Sequence, residues 1–208
     1  FIAAAPGSGS CTACAAGKFQ DEPAQKFCDP CTNGTFASGT GSTVCGKCPV
    51  GKFATAGAAI CTSCAPGRFQ NVTGQSTCGI CPAGKFSDGP GNAICGVCAA
   101  GKFSASGSTV CTQCAAGKYQ DSAGEPNCDN CSPGKFSNTT GSTMCTTCAA
   151  GFIAKADSAT KCTACGPGYY ADSAGQSKCS MCQNGTYSNG VSNVICSSCT
   201  NGTFSGFG

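Results

Sequence analysis

Twelve Cys-x-x-Cys pairs follow one another along the chain, beginning at Cys11, Cys28, Cys45, Cys61, Cys78, Cys95, Cys111, Cys128, Cys145, Cys162, Cys179 and Cys196. All 24 cysteines belong to this ladder, whose step is 16 or 17 residues. A unit that short cannot enclose a core of its own, so it must be stabilised by its neighbours, and a strict period of this kind marks a stack. The expected architecture is a small disulfide-rich, β/irregular fold: an elongated, solenoid-like rod of twelve repeats.

Within each repeat a glycine stands three residues after the second cysteine, from Gly17 and Gly34 through to Gly202, and an aromatic follows two residues later in all but one repeat, where Ile153 takes its place. The glycine implies a positive φ or a close chain approach, and the aromatic is the one large apolar group available to cover the sulfurs. A Ser/Gly/Asn stretch and a β-branched residue before the next cysteine (Val44, Ile60, Ile94, Val110, Ile195) read as short extended segments around a turn. No segment has helical apolar spacing over two or more turns, so little or no helix is expected.

A longer period lies over the first. The repeats at Cys11, Cys61, Cys111 and Cys162 resemble one another (CTACAAGKFQD, CTSCAPGRFQN, CTQCAAGKYQD, CTACGPGYYAD) more than their immediate neighbours, which groups the repeats in threes every 50 or 51 residues. The chain therefore divides into the end of a preceding repeat (1–10), three super-repeats (11–60, 61–110 and 111–161) and an incomplete fourth (162–208). Phe1-Ile2-Ala3-Ala4-Ala5 matches Phe152-Ile153-Ala154-Lys155-Ala156, and the chain stops at Gly208 before another cysteine, as a window cut from a longer array would.

With 24 cysteines, no histidine or tryptophan and 10% charged residues, neither a large core nor a charged surface holds this chain together. Cysteine at that density belongs to oxidising, extracellular compartments. The net charge of +3 is too small and dispersed to argue for nucleic acid, and no membrane-inserting run is present in this segment. Lysines recur directly after the turn glycine, most simply as a solvated row.

Paired Cys-x-x-Cys motifs are also the signature of four-cysteine zinc sites. Three pairs per super-repeat argue against that, because such sites use two pairs and would fall out of phase between super-repeats. Redox catalysis needs one thiolate activated at a helix N-terminus or beside a cation, whereas these pairs are near-equivalent and sit in a Gly/Ser-rich chain. No metal site, cofactor or catalytic residue is expected, and no enzyme.

The run Cys-x-x-Gly-(Lys/Thr)-(Phe/Tyr), a Ser/Gly turn and Cys-x-x-Cys, as in CPAGKFSDGPGNAICGVC from Cys81 to Cys98, resembles the ephrin-receptor-like cysteine-rich repeat. Each loop is similar to the first module of a tumour necrosis factor receptor repeat, but the interlocked bridges of the fuller receptor pattern are missing. That difference favours the long-array members, found in surface and flagellar-hair proteins of single-celled eukaryotes. The resemblance implies bonding of the second cysteine of one pair to the first of the next: Cys14 with Cys28, Cys31 with Cys45, Cys48 with Cys61, Cys64 with Cys78, Cys81 with Cys95, Cys98 with Cys111, Cys114 with Cys128, Cys131 with Cys145, Cys148 with Cys162, Cys165 with Cys179 and Cys182 with Cys196. Cys11 and Cys199 are then left for partners beyond the segment.

Sequons at Asn33, Asn71, Asn138, Asn184 and Asn201 mark N-glycosylation sites; Asn130-Cys131-Ser132 is the poorest acceptor because its middle residue should be bridged. The functional expectation is a structural component of an extracellular glycosylated filament or cell-surface coat, partnered by covalent glycans and copies of itself. The alternative is a ligand-binding or adhesive receptor ectodomain. Self-contacts are expected through Val44, Ile60, Ile94, Val110, Met144 and Ile195, with Phe1 and Phe204 at equivalent phases of the repeat.

Overall fold

A computed structural model describes residues 2–3 and 10–206. Phe1, Ala4, Ala5 and Gly208, which entered the phasing above, lie outside the described residues. The chain divides into two compact units, residues 1–97 with 104–111 and residues 98–103 with 112–208. Both are built by repeating one element.

That element starts at the turn glycine. In Ala65-Pro66-Gly67-Arg68 the Arg68 N–H donates to the Ala65 carbonyl at 3.1 Å, with Gly67 at φ 78°. This is type II turn chemistry, which needs positive φ at the third position and favours proline at the second, where Pro66, Pro133 and Pro167 stand. Strand Arg68–Phe69 then pairs antiparallel with Gly79–Ile80, the residues inside the next Cys-x-x-Cys. Among the described residues twelve such ladders account for all 24 strands, each of two residues, and there is no helix.

Strands stay short because the next N–H leaves the ladder. Gln70 donates not to its own hairpin but to the Asn92 carbonyl of the following repeat, at 3.1 Å. Two further main-chain bonds join the same neighbours: the Gly67 N–H to the Ser87 carbonyl and the Gly91 N–H to the Cys64 carbonyl, each 2.8 Å. The trio recurs as Gly17 to Ala37, Gln20 to Ser42 and Gly41 to Cys14, and in the second compact unit as Gly117 to Ser137, Gln120 to Ser142 and Gly141 to Cys114. Backbone groups left over by such small hairpins thus find partners in the adjacent repeat.

Burial is narrow. The first cysteine of each bridge, the turn glycine and the small residue after the aromatic (Ala37, Ala54, Ser87) form the interior. Most aromatics are half-buried. The rings of Phe36, Phe69 and Phe86 lie over their cross-strand partners Gly46, Gly79 and Gly96. Ile153 is fully buried in place of an aromatic, against Cys165 and Ala171, while Phe204 is exposed.

Candidate functional site

The structure pairs Cys14 with Cys28, Cys31 with Cys45, Cys48 with Cys61, Cys64 with Cys78 and Cys81 with Cys95. In the second compact unit it pairs Cys114 with Cys128, Cys131 with Cys145, Cys148 with Cys162, Cys165 with Cys179 and Cys182 with Cys196. Cys98 and Cys111 are disulfide-bonded as well. The first cysteine of each of these bridges is buried and its partner half-buried, so each bridge ties a repeat's interior to its edge. Cys11 and Cys199 are free thiols, the first exposed and the second half-buried.

What the repeats leave outside is organised by register. Asn33, Asn71, Asn138, Asn184 and Asn201 are all exposed. Asn33, Asn184 and Asn201 occupy the second position of the type II turn, and the hydroxyls of Thr35, Thr186 and Thr203 donate back to the first residue's carbonyl at 2.7 Å. The Asn33 side-chain oxygen also accepts the Ala56 N–H of the next repeat at 2.9 Å. Among the exposed apolar residues are those before the first cysteine: Val44, Ile60, Ile94, Val110, Met144 and Ile195 have relative exposures of 63–72%, beside others outside this register such as Val72, Ile80, Val97 and Val191. Phe27 belongs to the same register and is 78% exposed, although it is neither β-branched nor in a matching super-repeat position, so pattern reading passed over it.

Open clefts recur between successive hairpins. One of about 390 Å³ is lined by Phe53, Thr62, Ser63, Ala65, Arg68 and Thr77, and one of about 330 Å³ by Tyr119, Asn130, Ser132, Lys135 and Met144. A third, of about 410 Å³, has Ile153 where the others have an aromatic, with Tyr169, Lys155 and Lys178 on its walls. Each combines an apolar ring or side chain, small polar groups from the Cys-x-x-Cys and at least one cation.

The profile described as tyrosine-protein kinase ephrin type A/B receptor-like matches residues 51–95, 101–148 and 168–206, more than half of the chain. The chain belongs to this family. Among curated proteins, none matches it. The ephrin-receptor-like repeats here are cysteine-rich modules of the extracellular type, and their register accounts for the glycine turn, the paired dipeptide strands and the bridges between successive pairs.

Proposed function

We propose that this ephrin-receptor-like segment is a structural component of an extracellular, glycosylated filament or cell-surface coat. The observation that carries the reading is the exposed apolar register, Val44, Ile60, Ile94, Val110, Met144 and Ile195, held on hairpins fixed by bridges and main-chain bonds. Such residues are not needed inside their own repeat, and a regularly recurring patch suits contact between copies of the chain. N-linked sugars on Asn33, Asn71, Asn138, Asn184 and Asn201 hydrate a surface with little charge. In this reading the chain works by reach and shielding and carries out no catalysis. Electron micrographs of native material test it: ordered fibres or a continuous coat are expected, and a dispersed monomer overturns it. Glycosidase treatment should lower the mass of the same material.

A further inference from the structure

The lysines after the turn glycine have a property that the sequence alone does not display. In five consecutive hairpins of the first compact unit, one cross-strand pair always holds one cation and no acid: Lys18 faces Pro30, Lys47 faces Thr35, Lys52 faces Ser63, Arg68 faces Ile80 and Lys85 faces Val97. Thr35 breaks the row in sequence, yet Lys47 supplies the charge from the opposite strand of the same ladder. Its stem rests on Gly74, 3.5 Å from the site a Cβ would take, which carries the ammonium to the surface. All five cations are exposed, and none has an ion-pair partner among the described residues; Arg68 has only a hydrogen bond to the Cys78 carbonyl. The first three hairpins of the second compact unit repeat the pattern, with Lys102 facing Gln113, Lys118 facing Asn130 and Lys135 facing Thr147, and its last three, with Phe152 facing Ala164, Tyr169 facing Met181 and Thr186 facing Ser198, hold no cation at that pair.

A merely solvated row would not need its charge restored across a ladder, nor a cleft beside it. The cleft at Arg68 has Phe53 on one wall and the Thr62 and Ser63 dipeptide on another; the cleft at Lys135 has Tyr119 and Asn130 in the equivalent places. A ring face for a sugar's C–H face, hydroxyl or amide groups for its hydroxyls and a cation for its acid group are the parts that a charged saccharide uses. We propose that, within each compact unit, the cation row and its clefts bind a linear acidic polysaccharide, one acidic saccharide per cation-bearing hairpin. The acid group is a carboxylate or a sulfate, the two sources of the same chemistry. This goes beyond the structural role and does not depend on self-assembly.

The test uses the intact chain, with heparin as the sulfated probe and polygalacturonate as the uronate probe; dextran and double-stranded DNA are the controls. Binding to at least one acidic polysaccharide is expected, weakening with salt and absent with dextran. K52Q/K85Q should weaken it about tenfold and lower the slope of log affinity against log salt by about two. K26Q, which removes a charge from outside the row and the described clefts, should change it less than about twofold, against about threefold for K85Q alone, by the same electrostatic argument. K85V/V97K, which moves one cation across its ladder, should keep most of the affinity. The proposal is overturned by no binding of either acidic polysaccharide, by equal losses in K26Q and K85Q, or by DNA binding as tightly as the polysaccharides.

Discussion

At the scale of single residues, one glycine register is fixed twice over. A Cβ on Gly67 would sit 2.2 Å from the Gly107 carbonyl oxygen while φ stays at 78°, and Gly34 and Gly74 repeat the collision. Gly67→Ala should therefore cost about 3 kcal/mol or more locally, whereas Gly89→Ala, with open space around it and no positive φ, should stay within about 0.5 kcal/mol. Amide exchange around Gly67 and Ser87 checks the contrast, since arrays of repeats do not unfold as one two-state body. Gln70 makes a second residue-scale case. Its side chain accepts the Val72 N–H at 3.0 Å and donates to the Thr77 carbonyl at 2.8 Å, cross-tying its own loop, and Gln20 and Gln120 do the same in their super-repeats. Gln70→Ala should loosen residues 71–77 by about 1–2 kcal/mol, read as faster exchange at Val72.

At the scale of the element, the hairpin was largely legible. Glycine at a fixed distance from cysteine marked the turn, the absence of helical spacing excluded helices, and the cysteine ladder implied repeated disulfide units. The super-repeat was visible as letters but not as physics: in the repeats of Gln20, Gln70 and Gln120 a side-chain amide closes the loop, whereas Ala171 stands at that position in the repeat at Cys162. A second register of positive φ was missed altogether. It runs through Ala24, Gly41, Gly57, Gly74 and onward to Ser158, Gly175 and Ser192, and the mixture of Gly, Ala and Ser hid a shared backbone shape. The compensation of Thr35 by Lys47 was equally unreadable, since it requires the cross-strand register. Replacing both Cys81 and Cys95 by serine removes one loop closure worth about 3 kcal/mol in the chain-entropy view. Exchange should rise across residues 82–94 and in the bonds they share with adjacent repeats, and remain slow in repeats farther away.

At the scale of the whole molecule, repetition turns small surface features into periodic ones. If the apolar register joins copies of the chain, V44D/I94D should raise the concentration needed for association about tenfold or more, seen by sedimentation, because each change removes a large exposed contact and adds repelling charge. Thermal unfolding should barely move, as both side chains are already outside. The bridges have another consequence, for a chain under tension. Pulled from its ends, an oxidised chain transmits force from Cys14 across the bridge to Cys28, through Asp29 and Pro30 to Cys31, and across to Cys45, so the loops never enter the taut path. Each step can lengthen only to the 5.7 Å bridge span plus the short Cys-x-x-Cys link of about 10 Å. Reduction lets each loop pay out about 40 Å more. Single-molecule stretching should therefore find a tether whose length stops at that limit while oxidised and extends well past it when a thiol reductant is added.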